Sequence, residues 1–173
     1  MKQAESAVPR PDDVYFFATC VVDQFFPGAG MDAITLLERE GIRVHFPEEQ
    51  TCCGQPAYTS GFPDEARKVA AHQLTLFPND WPVVVPSGSC AGMMKHHYPT
   101  LFAADPVRKA QAEALSARIY ELTDFLVNVL NFQPEDKGSD CTVVLHTSCS
   151  ARREMGVHLT GRKLLGGLGK VTV

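Results

Sequence analysis

Short apolar runs alternate with amphipathic stretches along most of the chain. Val14-Tyr15-Phe16-Phe17-Ala18-Thr19 is a continuous apolar run, the pattern of a strand covered on both faces. Residues 42–46 alternate apolar and polar side chains and read as a second strand. Residues 81–86, β-branched and bounded by prolines, read as a third, and residues 141–148 as a fourth. Between them Met31, Ile34 and Leu37 mark a helix over residues 31–39 that stops at Gly41. Pro63-Asp64-Glu65 opens another, with its acids at the positive end of the helix dipole. Residues 91–102 and 106–130 also have helical spacing, the second stretch interrupted at Thr123-Asp124. This order predicts an α/β fold: a mainly parallel sheet with flanking helices, in a Rossmann-like three-layer arrangement.

A cysteine follows each expected strand. Cys20 ends the first, the pair Cys52-Cys53 lies just after the second, Cys90 follows the third and Cys149 the fourth. The pair is the most informative. Adjacent side chains on an extended chain point apart, so two neighbouring thiols serve one site only if the backbone turns. Gly54 permits that turn, and Pro56 ends any regular run. Between Cys20 and the pair lie 31 residues, and between the pair and Cys90 lie 36, each gap the size of one βαβ unit. Right-handed crossovers put the carboxyl ends of parallel strands on one side. Cys20, Cys52, Cys53 and Cys90 are therefore expected to converge at one sheet edge. Cys141 precedes its strand and is expected to lie apart.

Composition narrows the setting. The chain has 173 residues and a net charge of −4, which gives no reason to expect nucleic acid or an anionic membrane as partner. No apolar run is long enough for a membrane span. The polar start, residues 1–13, lacks the apolar core of a signal peptide and reads as a disordered tail on a cytoplasmic protein. There, six cysteines point to metal or redox chemistry rather than a disulfide framework. Three site chemistries suit them: an iron–sulfur cluster, zinc on Cys20, Cys52 or Cys53, and Cys90, or thiol–disulfide exchange at Cys52-Cys53.

Cys20, Cys52-Cys53-Gly54 and Pro86-Ser87-Gly88-Ser89-Cys90, with Phe46-Pro47-Glu48 and Gln55-Pro56-Ala57-Tyr58, resemble the cysteine-rich CCG domain family. That family includes lactate-utilisation protein A, the iron–sulfur subunit of glycolate oxidase and the cysteine-rich subunit of heterodisulfide reductase. The resemblance implies an oxidoreductase component that transfers electrons during oxidation of a small 2-hydroxy acid, L-lactate or glycolate, together with other subunits of such a complex. It implies an iron–sulfur cluster of the 4Fe–4S type held by Cys20, Cys52, Cys53 and Cys90, with Cys149 as a further cofactor ligand. The fuller family pattern closes on C-x-x-C, where this chain has Met93.

The chain also echoes itself. Thr19-Cys20 and Ser148-Cys149 are both hydroxyl–cysteine junctions after a strand. The polar segment 133–140, with Pro134 and Gly138, is the expected boundary between a first cysteine unit (14–139) and the start of a second (140–173) that lacks its own Cys-Cys-Gly. A chain without that second pair is expected to lose a cluster in air. Gly28-Ala29-Gly30 lacks the third glycine of a dinucleotide loop and reads as a plain turn. His96-His97 and His146 read as solvated or capping side chains, and Arg152-Arg153 as a solvated face.

Overall fold

The computed structural model describes residues 9–135 and 138–173. Strands β1 (Asp13–Phe16), β2 (Arg43–His45), β3 (Val83–Val85) and β4 (Ile119–Glu121) form a parallel sheet in the order β2-β1-β3-β4. Tyr15 stands opposite His45 on one side and Val83 on the other, and Val84 opposite Tyr120. The two-residue period of the strands divides the core between two faces. Tyr15, Phe17, Val83, Val85 and Ile119 pack against α4 (Pro63–Gln73), α5 (Gly88–Gly92), α6 (Tyr98–Leu101) and α7 (Pro106–Ser116). Val14, Phe16 and Val84 pack against α2 (Pro27–Arg39) and the π-helical turn Phe125–Val129. Phe16 and Phe17 are fully buried, one on each face. Each stabilises the fold by roughly 1.5–3 kcal/mol. The three-layer α/β arrangement expected from the sequence is therefore present.

Three local readings change. The stretch before the expected helix 31–39, where Gly28-Ala29-Gly30 reads as a plain turn, is helical. α1 (Cys20–Phe25) begins at the cysteine, where Thr19 Oγ1 accepts from the Val22 N–H, and Pro27 suits the first turn of α2, so Gly28-Ala29-Gly30 lies inside a helix. The fourth strand of the main sheet is β4, inside a stretch that reads as helix. Three residues are too few to show a period of their own, and pairing with Val83–Val85 decides the outcome. Segment 141–148, expected as that strand, supplies only β5 (Cys141–Thr142), which pairs in parallel with β6 (Val171–Thr172) in a separate two-stranded sheet. The ladder stops after the Val143 N–H donates to Thr172, and Val144 is exposed.

The short helix α3 (Gln55–Thr59) follows the cysteine pair. α5 passes through a π-helical turn, Met93–His97, into α6. After β4 the brief α8 (Leu122–Asp124) leads into the second π-helical turn, and α9 (Cys149–Arg153) and α10 (Val157–Gly166) follow β5. α9 packs on α5, and α10 reaches α8 through a 2.6 Å hydrogen bond between the Thr123 and Thr160 hydroxyls. Residues 1–8 of the expected tail, and part of the expected boundary 133–140, lie outside the described residues. Among those described, no helix is long and apolar enough to cross a membrane.

Candidate functional site

All four strands of the main sheet point the same way, so their carboxyl ends share one edge. Cys20 opens α1 after β1, Cys52-Cys53 end the loop after β2, and Cys90 is the third residue of α5 after β3. The thiols meet in a row. Cys52 neighbours both Cys20 and Cys53, and Cys53 neighbours Cys90. Cys53 and Cys90 are buried, while Cys20 and Cys52 are half-buried. Among the described residues, no group of three or more His, Cys, Asp or Glu side chains is arranged to hold one metal ion.

The neighbouring thiols shift one another's acidity in opposite directions. The Cys53 thiol holds Cys52 as thiolate, with its pKa lowered to about 5, and the Gly54 N–H, 3.4 Å from Cys52 Sγ, helps. The Cys53 thiol also lowers the pKa of Cys90, which the Ser87 and Ser89 hydroxyls assist. Cys53, donating toward its two neighbours, is pushed strongly up. Burial raises Cys20, and the neighbouring Cys52 adds to this. The site therefore presents one thiol favoured as thiolate, Cys52, beside Cys90, whose pKa is also lowered, and Cys20 and Cys53, whose pKa values are raised.

Backbone geometry holds both loops. Gly54 has φ +84°, and a Cβ there would stand 3.2 Å from the Ala66 carbonyl oxygen. Thr19, next to Cys20, is buried with φ +63°. For a β-branched residue this conformation costs about 1–3 kcal/mol, and the surrounding contacts must hold it. The Tyr98 hydroxyl donates to the Cys53 carbonyl at 2.9 Å. Gln73 Nε2 donates to Thr51 Oγ1 at 2.7 Å, and His72 Nε2 lies 2.9 Å from the Glu49 carbonyl. Gln50, Gln73 and Tyr98 have no signature in the sequence, since each reaches the cysteine loop from 22 or more positions away or bonds across to another strand.

A cleft of about 210 Å3 opens beside Cys20 and Cys52. Asp23 and Glu48 line it with Thr19, Gln24, Gln50 and Thr51, and among the described residues no Lys, Arg or His does. Cys149 takes no part in the row: it is exposed at the start of α9. That helix nonetheless approaches the site, because Ala151 presses on Gly88, two residues before Cys90. Cys141 is exposed in the small second sheet. His97 Nε2 lies 3.3 Å from Glu154 Oε1, and the His97 ring packs on Tyr58, so His97 is less solvated than its sequence suggests.

The pattern of the cysteine-rich domain CCG matches residues 14–95. That segment belongs to the CCG family. Similar curated proteins are lactate utilization protein A from Shouchella clausii, 47% identical over 143 residues (82% of this chain, 59% of the relative), and from Geobacillus sp., 44% identical over 152 residues (88% and 63%). The protein of that name from Bacillus subtilis is also 44% identical over 152 residues, with the same coverage. The chain thus spans about three-fifths of the length of these relatives. No solved structure matches the chain.

Proposed function

We propose that this chain is the iron–sulfur electron-transfer component of an oxidoreductase system for a small 2-hydroxy acid, L-lactate before glycolate, and that it works with further subunits. The observation that carries this reading is the unbroken row Cys20–Cys52–Cys53–Cys90 at the carboxyl edge of the sheet. Four thiol donors are the usual complement for a 4Fe–4S cluster, and that edge is where open α/β sheets build their sites. The donor set fits such a cluster. A bound cluster would accept and release single electrons. The chain itself supplies the thiolates, orders them through Gly54, Tyr98 and Gln73, and keeps Cys53 and Cys90 from water.

The acidic cleft supports electron transfer over dehydrogenation in this chain. With Asp23 and Glu48 and, among the described residues, no cation along its lining, it repels a carboxylate substrate. The name shared by the relatives favours lactate as the acid oxidised by the whole system. Cys149 is the proposed further ligand of a second cysteine unit beginning near residue 140, brought to this side of the molecule by α9.

Anaerobic reconstitution with ferrous iron and sulfide tests the proposal. Broad visible absorption, with iron and labile sulfide in the protein, is expected. Cys20→Ser, Cys52→Ser, Cys53→Ser and Cys90→Ser should each diminish it, and Cys141→Ser should not. Colourless protein carrying stoichiometric zinc instead would overturn the iron–sulfur reading. Loss of growth on L-lactate when the gene is deleted, with growth on glucose kept, tests the substrate.

A further inference from the structure

We propose that Gln50 is a positioning residue for the thiol site: its side-chain amide locks the Cys52 loop to the strand that delivers Cys20. This rests on reading the row of thiols as one ligand set. The pairing of β1 with β2 ends at Tyr15 opposite His45, because the chain turns away after β2. The next polar groups of the first segment on that side need partners from elsewhere. Gln50 supplies them. Its Oε1 accepts from the Ala18 N–H at 2.9 Å, and its Nε2 donates to the Phe16 carbonyl at 2.9 Å. One side-chain amide thus stands in for a strand residue, donating and accepting as a peptide group would.

The register of this clamp matters. Ala18 lies two residues before Cys20, and Gln50 two residues before Cys52. The amide therefore fixes the two points from which the thiols are launched. Neither launch has slack. Thr19, between Ala18 and Cys20, is buried at φ +63°, and Thr51, between Gln50 and Cys52, is held by Gln73. The far end of the row is held by other means, since Tyr98 binds the Cys53 carbonyl and α5 carries Cys90. Loss of the clamp should therefore separate Cys20 from Cys52 and leave Cys53 and Cys90 in contact. Shorter Asn cannot span the two groups, Glu lacks the donor, and Met matches the length but offers neither bond.

The test uses the metal-free chain with Cys141→Ser and Cys149→Ser, and diamide as oxidant. Cys20 and Cys52 give up two protons and two electrons, a disulfide forms between them, and diamide is reduced to the hydrazine. Peptide masses after acid quenching give the rate. Gln50→Met is expected to slow this cross-link about tenfold while Cys53–Cys90 coupling keeps its rate. Gln50→Glu, which keeps the acceptor, should fall between the two and covers the case in which Gln50→Met does not fold. Equal Cys20–Cys52 rates in the wild type and both variants overturn the proposal. So does equal slowing of both thiol pairs, which marks general loosening. Cluster uptake is scored separately. Uptake without Gln50 dependence sinks the clamp alone, while Gln50 dependence without uptake sinks the iron–sulfur reading alone.

Discussion

A Cβ on Gly88 would stand 2.5 Å from the Cβ of Ala151, closer than side chains approach. The glycine after Ser87 is therefore what lets α9 lie on α5, and with it what brings the Cys149 segment to the helix that carries Cys90. Gly88→Ala should push the two helices apart and cost about 1–3 kcal/mol by overpacking. Thermal denaturation reads the loss. An unchanged midpoint would show that α9 yields without cost.

Cys52 should be the most acid-tolerant nucleophile of the row. Its pKa is lowered to about 5, so the thiolate persists at neutral pH and is lost only as the pH falls through that value. In the metal-free chain, iodoacetamide should label half-buried Cys52 with little change from pH 8 to 6 and about tenfold more slowly for each further unit below 5. Mass spectrometry of the labelled peptides across that range is the check. A rate that climbs steadily up to pH 9 counts against the lowered pKa of Cys52.

Tyr98→Phe removes the hydroxyl that donates to the Cys53 carbonyl and leaves a buried acceptor without that partner. The expected loss is about 1–3 kcal/mol. Alkylation of Cys53, slow in the wild type because the thiol is buried and protonated, should become faster in the variant. Equal labelling of Cys53 in both proteins would deny Tyr98 its hold on the loop.

Glu121, buried at the carboxyl end of β4, accepts from the Thr123 N–H and hydroxyl and from the Asp124 N–H. Burial nevertheless raises its pKa above the ordinary 4.5. The sign follows from linkage. A raised folded pKa contributes stability that is fully present below 4.5 and lost as the pH rises through the folded value. Gln keeps an acceptor oxygen and carries no charge. Glu121→Gln should therefore gain on the wild type as the pH rises from 4 to 7, in paired thermal melts. A constant difference between the two melts would mean that Glu121 ionises without cost.

The apolar runs disclosed β1 and β3, because a strand covered on both faces has no polar period to hide it. They could not disclose β4. Ile119-Tyr120-Glu121 is three residues between helical stretches, and its identity comes from the edge of Val83–Val85, far away in the chain. The same distinction holds at the site. Cys20, Cys52, Cys53 and Cys90 were legible because a strand end carries each one, and the side of the sheet follows from chain direction alone. The residues that hold them were not legible. Gln50 looks like any polar loop residue until the place where β2 stops pairing is known, and Gln73 looks like an exposed helix position until α4 is laid over Thr51.

The π-helical turn Met93–His97 has a consequence for phase. Eight positions separate Cys90 from Tyr98, and in an uninterrupted α-helix eight positions overshoot two full revolutions by about 80°. The wider turn winds less per residue and takes up that excess. The thiol of Cys90 and the hydroxyl of Tyr98 can then both address Cys53, one at its sulfur and the other at its carbonyl. The helix works as a vernier, two α segments set in step by one widened coil. Winding the same eight positions as plain α-helix would rotate Tyr98 about 80° away from the cysteine it now secures, whereas deleting one residue leaves seven positions, about 20° short of two revolutions, and keeps it nearly in phase.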